Sequence, residues 1–138
     1  MDTTETYIKM CEKAVEIQKL RKDWLEGDIY YDEEICYASI GCSGYDCGSF
    51  NDMSADGLVR IGYETWLPRQ DQLQEILELD PSLWTGIVQL IWEFGKEMIR
   101  NKQERYIFSM EQLWLAFVMK EKYNKIWDGK DKKWKLLK

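Results

Sequence analysis

A chain of 138 residues with 45% hydrophobic and 14% aromatic residues has the size and apolar content of one packed domain. It contains no histidine, which excludes Ser-His and Cys-His nucleophile pairs and every histidine-containing metal site. The net charge of -6 is unevenly spread: residues 1–80 hold 18 acids and 7 Lys/Arg, residues 81–138 hold 7 acids and 12 Lys/Arg, and this split suits halves that attract each other or a partner rather than a uniform nucleic-acid-binding surface.

The chain opens acidic and polar at Met1-Asp-Thr-Thr-Glu-Thr6, unlike a secretory signal. Its longest apolar run, Leu113 to Met119, is too short to span a bilayer. A soluble protein of the cytoplasm is therefore expected, with Cys11, Cys36, Cys42 and Cys47 present as thiols. Apolar or aromatic residues at Tyr7, Met10, Cys11, Ala14, Ile17, Leu20 and Trp24 recur in steps of three and four, which predicts a helix over 4–25. Asp2 and Glu5 have the spacing of its capping box, and Gly27 closes it.

From Ile29 to Ile40 the density of Tyr, Ile and Cys around Asp32-Glu33-Glu34 predicts a hairpin with an acidic turn. Residues 41–57, with glycine at 41, 44, 48 and 57, read as a loop, and 58–66 alternate as a strand. Pro68 suits a first helical turn, and Leu73, Ile76 and Leu77 form the buried stripe of a helix ending near Asp80. Trp84, Ile87, Val88, Ile91, Phe94 and Met98 then mark a helix over 82–100 that Gly86 and Gly95 weaken. Ser109 and Gln112 form a second capping box before a helix over 110–124, apolar nearly all round and so buried on most sides or an oligomer contact through residues such as Trp114. After a turn at Asp128-Gly129, the lysine-rich end with Trp134 reads as a solvated tail or a phosphate-backbone track. The sum is an α+β single domain, 1–138, with a small antiparallel sheet packed against three or four helices.

The cysteine spacing C-x5-C-x4-C lacks the close pairs of a structural zinc site, and Gly41–Gly48 lacks the Lys-Ser/Thr of a phosphate loop. No metal and no cofactor is expected. Two roles fit the corner at Thr65-Trp66-Leu67-Pro68-Arg69. Arg69 at a helix start can hold a phosphate or carboxylate while Trp66 stacks on an attached base, with Tyr31 or Tyr45 completing a pocket. Alternatively, Asp71 favours the helix dipole, Arg69 pairs with a nearby acid and Trp66 is core.

Trp66-Leu-Pro-Arg-Gln-Asp-Gln-Leu-Gln-Glu-Ile-Leu77 and the segment from Ser109 through Met-Glu-Gln-Leu-Trp-Leu-Ala-Phe-Val-Met-Lys-Glu-Lys-Tyr-Asn-Lys-Ile-Trp-Asp to Gly129 give the chain a further reading. With them, it resembles small uncharacterised phage and prophage proteins of Firmicutes. Those proteins also open with a helix like Tyr7-Ile-Lys-Met-Cys-Glu-Lys-Ala14 and a strand start like Gly27-Asp28, whereas residues 36–57 have no counterpart in the resemblance. The resemblance carries over no catalytic residue. It implies a non-catalytic accessory protein in the host bacterial cytoplasm that binds a host molecule to counter antiviral defence. Two versions follow: sequestration of a nucleotide signal, or inhibition of a defence protein complex through the acidic face containing Asp32, Glu33 and Glu34. The alternative is a structural phage protein acting as a homodimer through residues 110–119. Neither direct nucleic-acid binding nor membrane binding is expected.

Overall fold

A computed structural model describes residues 2–20, 28–32, 37–40, 64–78, 84–100 and 107–137, with the side chains of 32, 37–40, 64 and 84 left out. Tyr45, Glu33, Glu34, Cys36, Cys42, Cys47, Trp24, the glycine-rich stretch and the first part of the 58–66 strand lie outside these residues. In chain order the described elements are α1 (Glu5–Lys13), α2 (Val15–Gln18), β1 (Ile29–Asp32), β2 (Tyr37–Ile40), β3 (Glu64–Trp66), α3 (Gln70–Ile76), α4 (Trp84–Arg100), α5 (Met110–Tyr123), β4 (Lys125–Asp128) and β5 (Lys133–Leu136). The architecture is α+β, with β2-β1-β3 forming one antiparallel sheet and β4-β5 a second.

The first helix begins at a different cap from the one its sequence suggests. Thr4 is the N-cap and accepts from the Tyr7 N–H at 3.3 Å. Asp2 lies two residues before it, where its carboxylate accepts from the Thr4 N–H at 2.8 Å and reaches across to α5. Tyr7, Met10, Cys11, Ala14 and Ile17 are fully buried, as their spacing requires, but Leu20 is half exposed. The helix is interrupted at Ala14, a residue with the highest helix propensity. Local preference therefore does not cause the break. A tertiary contact accompanies it: the Gln18 side chain turns back to donate to the Cys11 carbonyl and to grip β3.

The hairpin of β1 and β2 forms as its pattern predicts, with Tyr31 opposite Ala38 and Asp32 opposite Tyr37. On its other edge β1 pairs with β3, placing Tyr30 against Trp66 and Tyr31 against Thr65. Helix α3 starts at Gln70 with Arg69 as N-cap, so Pro68 precedes the helix rather than sitting in its first turn. The Pro68 carbonyl instead accepts the buried Tyr7 hydroxyl. The helix ends at Ile76, earlier than Asp80, as Glu78 enters the left-handed region with φ 53°.

Helix α5 is the centre of the packing, in contact with α1, α3, α4 and β4. That surround explains a run from Trp114 to Met119 buried at every position, something no single amphipathic stripe could produce. Ser109 caps it by accepting from the Gln112 N–H at 3.1 Å, as the capping spacing predicts. At its C-terminus Asn124 takes the left-handed conformation that asparagine tolerates, and β4 follows directly.

The lysine-rich end is not a free tail: its residues Lys133–Leu136 form strand β5. Trp134 lies opposite Trp127, their ring centroids 5.1 Å apart, and the Trp134 indole donates to the Met10 carbonyl at 3.0 Å. Asp128 holds the turn, accepting from the backbone N–H groups of Lys130 and Asp131 and from the Lys135 ammonium, which together draw its carboxyl down to about 2. No described helix is long and apolar enough to cross a membrane.

Candidate functional site

The register of the first sheet decides what its aromatics can do together. Residues directly opposite in an antiparallel pair share a face, and successive residues alternate. Tyr30 and Trp66 therefore point one way, into the core, and Tyr31 and Thr65 point the other. The structure does not bring Trp66 and Tyr31 to one pocket. Trp66 is 5% exposed, with its backbone held by Gln18, and the Arg69 guanidinium forks onto Asp71 at 2.9 and 3.1 Å. Asp71 is held below the usual carboxylate range by that fork. Among the partner-surface residues, Trp114 is buried in α5 and Asp32 closes β1.

Beneath this corner lies a polar cluster that the sequence pattern did not reveal. Asp28 is almost fully buried at the start of β1 and accepts from the Gln72 amide at 2.6 Å and from Tyr30 Oη at 3.4 Å. Gln72 accepts in turn from the Arg69 N–H at 2.9 Å, so one side chain ties the start of α3 to the sheet. Spacing alone marks Gln72 as the third residue of a helix, a position from which a Gln commonly reaches back to its cap. Nothing in the spacing marks Asp28 as its second partner.

A second candidate lies where α1, the residue pair before α5 and the β4–β5 turn meet. Thr6, Lys9, Phe108, Trp127, Gly129 and Lys132 line a shallow open groove of about 60 Å³. Thr6 and Lys9 are three apart and so share a face of α1. Trp127 is buried, and Gly129 leaves the turn without a side chain. Phe108 precedes the Ser109 cap, a position from which an apolar residue often packs against the fourth helical residue. Here it is 75% exposed instead, while its N–H donates to Gln112 Oε1 at 2.9 Å.

The two lysines of this groove share Glu5. Lys9 Nζ is 2.6 Å and Lys132 Nζ 3.6 Å from Glu5 Oε1, and the two ammonium groups hold the Glu5 carboxyl below its usual range. Glu12 also acts on Lys9, so the two ammonium groups are opposed by more than one carboxylate. Exposed pairs of this kind are held by little free energy, so an incoming phosphate or carboxylate can displace Glu5 at small cost.

Acid–base or nucleophilic chemistry has less to work with among the described residues. Burial pushes the Cys11 thiol well above its ordinary value, and the Tyr7 phenol likewise. Neither is poised as a nucleophile near neutral pH. Among the described residues, no group of three Cys, Asp or Glu side chains is placed to hold a metal ion. No protein family, curated protein or solved structure matches this chain.

Proposed function

We propose that this is a non-catalytic phage accessory protein of the host cytoplasm that binds a nucleotide signal and thereby counters bacterial antiviral defence. The observation that carries the binding chemistry is the exposed Phe108 ring beside Lys9 and Lys132, in a chain whose net charge is -6. An aromatic face stacks on a base and ammonium groups take its phosphates. The phage setting and the defence target rest on the resemblance of the two end segments and Trp66–Leu77, and the groove supplies only the ligand class.

A thermal-shift screen of the whole chain against cyclic and linear nucleotides and ADP-ribose derivatives tests this. A ligand at a hundred times its dissociation constant raises stability by about 2.7 kcal/mol. The expected result is a shift that disappears in Lys132→Ala and in Phe108→Ala and persists in Arg69→Ala. A shift lost only in Arg69→Ala would move the site to the Trp66–Arg69 corner. No shift with any nucleotide would reject a nucleotide ligand and favour the protein-inhibitor version.

A further inference from the structure

Helix α4 carries two apolar stripes, and the described residues bury only one. Ile87, Ile91, Phe94 and Met98 are buried, with Phe94 against Phe117 of α5 at 5.4 Å between centroids. Val88, Trp92 and Ile99 are 61%, 66% and 63% exposed. With Gly95 they follow a four-three-four spacing, which places all four positions within an arc of about 60° on the helix. Isolated exposed apolar residues are ordinary; an aligned row containing a tryptophan marks a contact surface.

Gly95 gives that surface a shape. A glycine inside a helix weakens it, and a Cβ built at Gly95 would meet nothing within 4 Å among the described residues, so their packing does not require its smallness. The residue leaves a hollow in the row, one turn from the Trp92 ring.

We infer that α4 is a self-association surface, on which a second copy of this chain packs antiparallel with Trp92 of each copy seated over Gly95 of the other. A two-fold axis passing between Glu93 and Phe94 sets Val88 against Ile99 and Trp92 against Gly95 in the same layers. Each copy then supplies both the knob and the hole, as a symmetric interface requires. Charge selects the same occupant. Residues 84–100 hold Glu93, Glu97, Lys96 and Arg100, which cancel, and residues 84–92 hold no charge, so the copies meet without the repulsion expected of a chain at -6. Lys96 already pairs with Glu93 at 2.7 Å.

The area sets the strength. Trp92 offers roughly 150 Å²; with Val88, Ile99 and the flanking residues, a symmetric pair buries on the order of 1,000 Å², near the lower end for specific interfaces. A weak, concentration-dependent dimer is the consequence. This inference stands independently of the ligand groove, which lies on α1 and the β4–β5 turn.

Sedimentation velocity on the full chain over a wide range of concentration is the test. The wild type should pass from monomer to dimer, Trp92→Lys should stay monomeric, and Gly95→Ala should weaken the dimer at least tenfold. Circular dichroism keeps the result interpretable, because Gly95→Ala should raise the melting temperature of the monomer by improving the helix while it weakens association. A wild type that is monomeric throughout, or a dimer indifferent to both substitutions, would overturn the inference.

Discussion

The Gln18 carboxamide holds the Trp66 backbone at both polar atoms, accepting from its N–H at 3.0 Å and donating to its carbonyl at 2.9 Å. A side chain thus supplies to β3 what a neighbouring strand would. Its amide also donates to the Cys11 carbonyl at 3.1 Å, so one residue joins α1, α2 and the sheet edge. Replacing Gln18 by Leu keeps much of the volume and leaves these backbone groups without their partner, so urea denaturation should show a loss of about 2 to 3 kcal/mol. A loss below about half a kcal/mol, within the range of ordinary surface substitutions, would show that water substitutes freely for the clamp.

Asp2 gives a pH-dependent counterpart between the start of the chain and α5. Burial pushes its carboxyl up, but hydrogen bonds from Ser109, Thr4 and Gln112 outweigh burial and hold it below its ordinary value. A depressed carboxylate contributes stability that is fully present above its unfolded value, about 4, and lost as pH falls through the folded one. Asp2→Asn should therefore lower the urea midpoint near pH 7 and make little difference near pH 2. Equal differences at both pH values would mean that the charge on Asp2 contributes nothing to the junction.

Cys11 should be chemically silent in the folded state. It is fully buried in α1, and burial raises its thiol. In a chain carrying Cys36→Ser, Cys42→Ser and Cys47→Ser, a disulfide reagent at pH 8 should label no thiol until denaturant is added. Rapid labelling of the native chain would show that the α1 packing opens readily.

Trp114 separates a packing role from a recognition role. Its ring lies edge-on to Phe117 with centroids 5.9 Å apart, and its buried indole N–H has no hydrogen-bond acceptor among the described residues. Trp114→Phe removes that unpaired donor along with some volume, so its net cost should be under about 1.5 kcal/mol, whereas Trp114→Ala opens a cavity and should cost about 3 to 5 kcal/mol. Comparing the two denaturation curves checks this; similar large losses would show that the indole shape itself is required.

Much of the fold was legible where periodicity and burial agree. The stripe from Tyr7 to Ile17, the β1–β2 hairpin, the existence of α4 and the Ser109 cap all follow from local spacing. The interruption at Ala14 was not, because an alanine there favours helix and only the contacts of Gln18 accompany the break. The β4–β5 hairpin was hidden by its lysines, which alternate with Trp134 and Leu136 and read as a charged tail until Trp127 and Met10 are in place.

The sequence by itself determined which residues are apolar, at what period, and that no histidine chemistry is available. Tertiary structure decided how those residues are used. Helix α5 is apolar nearly all round and is consumed by its neighbours, while the second stripe of α4 is left open by the described residues. It also set Trp66 and Tyr31 on opposite faces and placed Phe108 beside Lys9 and Lys132. The physical reason is that periodicity records which face of an element avoids water, whereas the identity of the covering surface depends on contacts between residues far apart in the chain, and those exist only once the elements have packed.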